Sequence, residues 1–150
     1  MHKKHGSYLI SDDASLLDAS AIHAYLTRSY WSEGIPLETV QQAMNNSLCL
    51  GVYTSAKTQV GLVRIITDYA TYAYLCDVYV LEEHRKKGLA KAMLTFALEH
   101  AKLQGLRSWN LRTRDAHPIY EALGFKVVDN AGSYMILRFP EVYRKSGGGN

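Results

Sequence analysis

What this sequence lacks narrows its chemistry before any motif is read. Cysteine is nearly absent: Cys49 and Cys76 are the only two in 150 residues, with no CxxC spacing and no histidine cluster beside either. Disulfide scaffolds and zinc sites need such spacings, so both read as reduced thiols inside apolar runs, and no metal is expected. No run approaches the ~18 apolar residues of a membrane span, and the start MHKKHGSY has no apolar core of signal-peptide length. A cytoplasmic protein with no membrane partner is the expectation. Excess charge is also lacking. The 17 basic and 14 acidic residues leave a net +3, too mild for a nucleic-acid partner but compatible with a small anion held at one local cluster. GxxxxGK[ST] and GxGxxG are both missing, which leaves nucleotide hydrolysis and nicotinamide chemistry unsupported.

What is present is the balance of an ordinary globular chain, 47% hydrophobic and 21% charged. Its length fits a single domain, 1–150, with residues 1–5 and the tail SGGGN (146–150) as flexible ends. GSYLIS (6–11) reads as a strand. Asp12 and Asp13 are candidate caps for a helix bearing Leu17, Ala21, Ile22, Tyr25 and Leu26, and Pro36 opens a second helix with Leu37, Val40 and Met44. Between them lies an aromatic loop, SYWSEGIP (29–36). The period then drops to two in SLCLGVYT (47–54), QVGLVRIITD (59–68) and TYAYLCDVYVL (71–81), read as three successive antiparallel strands. The third is apolar on both faces except for Asp77, so it belongs inside the sheet. A long helix follows from Gly88 to about Gln104, with Leu89, Met93, Phe96, Ala97 and Ala101 inward. SWNLRT (108–113), a short helix at HPIYEAL (117–123), and closing strands at FKVVD (125–129) and YMILRF (134–139) complete the pattern.

The stretch EHRKKGLAKAML (83–94) poses the sharpest question, because three like charges stand directly before Gly88 and a helix start. Unpaired N–H groups at such a terminus attract anions. Gly88 lets the backbone approach closely, and small Ala90 keeps side chains away. The competing reading is a set of solvated basic residues.

Arg85, Gly88 and Ala90 in VYVLEEHRKKGLAKAML resemble the Q/R-x-x-G-x-G/A hallmark of the GNAT superfamily of acetyl-CoA-dependent N-acetyltransferases. Tyr120, Gly124 and Phe125 in AHPIYEALGF resemble its second mark, a tyrosine on a short helix before a Gly-Phe pair. Two positions depart from the common pattern: Lys86 stands where many members have glycine, and Thr113 where asparagine is common. The resemblance implies an α/β (α+β) fold: a mixed, mostly antiparallel twisted sheet of about seven strands with helices on both faces, in the order β-α-α-β-β-β-α-β-α-β-β.

It also implies a site. Acetyl-CoA, or coenzyme A, would lie between the strand at 71–81 and the one at 108–113. Its pantetheine arm would meet backbone groups of Val78, Tyr79 and Val80, and its pyrophosphate would meet Arg85, Lys86, Lys87, Gly88, Leu89, Ala90 and Lys91, with Thr113 and His117 nearby. Tyr120 is the implied proton donor to the departing thiolate. A base is needed because an alkyl amine of pKa about 10 is mostly protonated near neutrality. Asp77, a carboxylate in an apolar strand, is the candidate, either as base or as a structural group; Asp68 and Glu33 are weaker ones. Tyr30 and Trp31 would wall the acceptor, with Arg64 available to an acidic group. The acceptor is a small-molecule or protein amine, and a homodimer is common in such families. A non-catalytic acyl-CoA-binding module is the alternative.

Overall fold

A computed structural model describes residues 1–143; SGGGN lies outside the described residues. One six-stranded sheet runs in the order β1 (His2–His5), β2 (Tyr8–Ser11), β3 (Leu48–Tyr53), β4 (Gln59–Thr67), β5 (Tyr72–Val80) and β6 (Ser108–Leu111). Every neighbouring pair is antiparallel except β5 and β6, which are parallel. Between β2 and β3 come α1 (Ala19–Leu26) and α2 (Leu37–Asn45). Then α3 (Leu89–Leu98) joins β5 to β6, and α4 (His117–Glu121) follows β6.

The alternating pattern of the strands places apolar side chains on both faces. On one, Ile10, Leu50, Val52, Val63, Ile65, Ala73 and Leu75 pack with Leu89, Met93, Leu94, Phe96 and Ala97. On the other, Cys49, Leu62 and Tyr79 meet Ile22, Leu26, Ile35 and Val40 from α1, α2 and their connecting loop. Helices therefore cover both faces, as expected.

Four expectations are corrected. The basic start is not loose, since His2–His5 pairs along β2 from His2↔Ser11 to His5↔Tyr8. Asp13 caps only a short 3-10 turn at Ala14–Leu16; the α1 cap is Asp18, whose Oδ1 accepts the Ala21 N–H at 3.0 Å. The long helix stops at Leu98 rather than near Gln104. His100 leaves helical geometry (ψ 131°), and Ala101–Leu103 forms a separate turn that buries Leu103 and exposes Ala101. The physical cause is His100, a buried side chain: its Nδ1 accepts the Lys102 N–H at 3.1 Å, so its Nε2 is the donor to Asp12 Oδ2 at 2.7 Å. Burial works against the Asp12 charge, but the Met1 amine and His100 outweigh it and hold this carboxyl below its ordinary value. Finally, residues 125–129 and 134–139 form no strand; losing these two and gaining β1 gives six strands instead of seven.

Gly51 in β3 is fixed by a neighbour two residues on. A Cβ there would sit 2.3 Å from the Tyr53 hydroxyl oxygen and 2.6 Å from its Cζ, and Tyr53 is buried with no room to swing away. Gly51→Ala is expected to cost about 1–3 kcal/mol by overpacking, seen as a Tm lowered by roughly 3–10 °C in thermal unfolding. Tyr53→Phe should leave Tm unchanged or raise it, because that hydroxyl has no hydrogen-bond partner among the described residues.

Candidate active site

The site begins where β5 and β6 part. Their parallel register runs from Tyr72↔Ser108 to Leu75↔Leu111 and stops there, although β5 continues to Val80. A bulge explains the parting. In the β4–β5 ladder Leu62 pairs with Tyr79 and Arg64 with Cys76, so Val63 alone faces both Asp77 and Val78. Asp77 takes the extra residue's left-handed conformation, φ 51°. A bulge bends and twists its strand, and the β6-facing edge of Cys76–Val80 is left without a ladder among the described residues.

The loop after β5 turns this open edge toward the start of α3. Lys86 (φ 63°) and Gly88 (φ 75°) are both left-handed around Lys87, and turns with left-handed residues are the kind that can gather successive N–H groups toward an anion. Lys86 thus occupies a conformation that suits glycine. From the far edge of the sheet, His5 Nε2 donates to the Lys87 carbonyl at 2.7 Å and braces the loop. His84 is anchored as well, its Nδ1 lying 2.8 Å from the Tyr8 hydroxyl. Arg85 differs from the two lysines. Its Nε donates to the Val80 carbonyl at 2.9 Å and its guanidinium to the Tyr25 hydroxyl at 3.1 Å, so it ties the loop to β5 and occupies one of the carbonyls the resemblance reserves for pantetheine. Lys86 and Lys87 are exposed. Leu89 points into the core, and Ala90 and Lys91 lie on the first turn of α3.

Tyr120 sits on α4, the helix that follows β6. Gly124 (φ 100°) ends the helix, Phe125 N–H returns to the Tyr120 carbonyl at 3.1 Å, and the two rings meet edge to face at 5.9 Å. Its ring is buried, while its hydroxyl makes no hydrogen bond among the described residues. Burial, with a smaller contribution from Tyr30, pushes this phenol up to about 12, so it stays a proton donor at any physiological pH. Thr113 and His117 line the same cavity of about 290 Å³ as Tyr120.

Asp77 is not the solitary carboxylate that its apolar strand suggests. Its Oδ2 accepts Arg64 Nε at 2.7 Å and its Oδ1 accepts Trp31 Nε1 at 2.8 Å. Arg64 also reaches Ser47 Oγ at 3.1 Å. Burial opposes the Arg64 charge, but the facing carboxylate raises it above its ordinary value. Arg64 is therefore already paired, with Asp77 through Nε and with Ser47 through one terminal nitrogen. Trp31 is held by its N–H, leaving its ring face exposed, and stands edge to face with Tyr30 at 5.1 Å. Tyr30 carries the Arg114 guanidinium at 3.8 Å from its ring centre, so a cation already covers one face. Asp68 is a turn residue that accepts from Thr71 and Ala70, and Glu33 is exposed. Sequence reasoning missed His5, Tyr25 and the bulge. The thiols are poor nucleophiles: burial pushes Cys49 up to about 11 and Cys76 up to about 12.

An open strand edge, a cradle of amides with two exposed lysines and a free phenol fit a long thioester that carries phosphates. The comparisons agree. A family model described as acetyltransferase (GNAT) domain matches residues 45–127. A Gibberella zeae protein, provisionally named an acetyltransferase, is 36% identical over 144 residues, covering 81% of this chain and 80% of its own. A crystal structure of a GNAT-family protein from Xanthomonas campestris pv. campestris, also provisionally named, matches with TM-score 0.88 and 42% identity over 93% of this chain and 99% of that one. A Clostridium acetobutylicum protein classed as an acetyltransferase and solved with acetyl-CoA shares the fold, with TM-score 0.63 and 19% identity over 92% and 96% of the two chains. The parted strands, the glycine-started helix and the sequence kinship converge: this chain belongs to the GNAT acetyltransferases, transferases whose co-substrate is acetyl-CoA.

Proposed function

We propose that this protein transfers the acetyl group of acetyl-CoA directly to a primary amine, with the thioester lying along the β5 edge. The observation that carries this is the end of β5–β6 pairing at Leu75↔Leu111. It leaves Val78 and Tyr79 backbone groups facing a gap that leads on one side to the Lys86–Gly88 amides. Those amides, with Lys86 and Lys87, take the pyrophosphate. Arg85 acts through the backbone by holding the Val80 carbonyl, which keeps the turn in shape.

At the other side of the gap the acceptor meets Trp31 and Tyr30. Tyr120, protonated and free of internal partners, gives its proton to the sulfur as the C–S bond breaks and the amine nitrogen bonds the acetyl carbon; the proton that nitrogen then sheds passes through solvent and restores the phenol. No acyl-enzyme intervenes, because both thiols are held protonated by burial. Asp77 serves as a positioning residue: its carboxylate orients Trp31 and pairs with Arg64, and the amine reacts from its neutral fraction.

The test is thiol release from acetyl-CoA with a panel of alkyl amines, amino acids and lysine peptides. At least one acceptor should raise release well above hydrolysis. If acetyl-CoA stabilises the protein in thermal unfolding and no amine yields thiol, the protein is an acyl-CoA-binding module instead.

A further inference from the structure

The sequence HGSY (5–8) brings two side chains of the first hairpin onto the loop between β5 and α3. Gly6, left-handed at φ 59°, takes the first place of the two-residue turn that joins β1 to β2, a position that glycine fills in tight hairpins. The turn sets His5 directly opposite Tyr8, and opposed residues project from the same face of a sheet. Both side chains meet the loop. His5 Nε2 lies 2.7 Å from the Lys87 carbonyl, and the Tyr8 hydroxyl lies 2.8 Å from His84 Nδ1. Just beyond β2, Asp12 holds His100 past the end of α3. The hairpin thus fastens the chain both before α3 and after it.

The His5 bond falls on one particular peptide. A carbonyl only accepts, so Nε2 carries the shared proton. The Lys87 carbonyl takes no backbone N–H among the described residues, which leaves His5 as its donor. That carbonyl belongs to the same planar, trans peptide unit as the Gly88 N–H, and in such a unit the two groups point in opposite directions. Fixing one therefore aims the other. The Gly88 N–H itself makes no backbone hydrogen bond among the described residues. Lys86 and Gly88, on either side of Lys87, are both left-handed. A residue with a Cβ, such as Lys86, keeps that conformation only where its surroundings impose it, so the turn depends on ties from outside.

We propose that His5 is a positioning residue for coenzyme A: by holding the Lys87 carbonyl it aims the Gly88 N–H at the diphosphate. The inference rests on the reading of this turn as the diphosphate site. His5 acts through one peptide and touches no phosphate. The Tyr8–His84 contact secures the loop separately, so loss of the imidazole frees that peptide and leaves the rest of the loop in place.

Calorimetric titration with free coenzyme A tests this without any acceptor amine. His5→Leu should raise the Kd for coenzyme A about three- to tenfold, the scale of one net hydrogen bond. S-acetylpantetheine, which has no diphosphate, should bind wild type and variant alike in an NMR titration. His5→Gln, whose amide N–H reaches about as far as Nε2, should restore most of the affinity, and the shorter His5→Asn should not. With an active acceptor, the KM for acetyl-CoA should follow the Kd while kcat stays the same. Should His5→Leu not fold, the Gln and Asn variants carry the same comparison. Equal Kd for coenzyme A in wild type and His5→Leu, equal loss for both ligands, or no rescue by Gln would each overturn the role of His5. If coenzyme A responds to His5 as expected and no amine yields thiol, acetyl transfer fails and the positioning stands. If coenzyme A does not bind the wild-type protein, the diphosphate site and this inference fall together.

Discussion

Tyr120→Phe is expected to lower kcat by about ten- to several-hundred-fold while changing the KM for acetyl-CoA and the Tm very little. The stability half follows from geometry. The phenylalanine keeps the edge-to-face contact with Phe125 and the buried ring, and the lost hydroxyl has no hydrogen bond among the described residues whose partner would be stranded. The kinetic half follows from the leaving group. A thiolate whose conjugate acid lies near pKa 8.5 departs more readily when a donor is placed beside it. Because burial holds the Tyr120 phenol up to about 12, the wild-type enzyme should show no alkaline fall in kcat below about pH 10 from this group. Rate constants for the two proteins across pH 6–10 supply the check. An unchanged kcat in the variant rejects Tyr120 as the donor.

How much of this was legible from residues alone depends on the distance over which each feature is determined. The strand–loop–helix unit from Tyr72 to Leu98 was legible because β periodicity, Gly88 and helical periodicity follow one another locally. Tyr120 and the Gly124–Phe125 stop were legible for the same reason. β1 was not, since four residues of HKKH show no apolar alternation and their order comes from pairing with β2 and from the His5–Lys87 hydrogen bond. The closing strands were misjudged for the opposite reason: YMILRF has full β propensity, but a strand also needs an edge, and propensity does not say whose. The bulge at Asp77 depends on how β4 and β5 align, which no single strand encodes. The Arg64–Asp77 pair shares that origin. Its one sequence trace was two opposite charges in adjacent apolar strands, each weighed separately, one for an acidic acceptor and one as a base.

That pairing governs the second large effect. Asp77→Ala is expected to destabilise the fold by roughly 3 kcal/mol, because it leaves the Arg64 guanidinium, only 18% exposed, without its carboxylate. Tm should fall by about 6–12 °C. The Trp31 N–H also loses its acceptor, so the aromatic loop is freed and the KM for the amine should rise at least about tenfold, the scale of one lost charge-assisted hydrogen bond. The pH profile separates positioning from base catalysis. With an amine of pKa about 10, kcat/KM limited by the neutral fraction rises about tenfold per pH unit up to that pKa. If Asp77 positions Trp31 and Arg64, this slope persists in Asp77→Asn, with lower values throughout. If Asp77 accepts the amine proton, the wild-type profile levels off well below the amine's pKa, and the variant alone recovers the unit slope. Arg64→Met combined with Asp77→Leu adds a stability readout. Removing both charges together should restore much of the Tm lost in Asp77→Ala, because the cost lies in the stranded guanidinium, while amine KM stays high because Trp31 still has nothing to hold it.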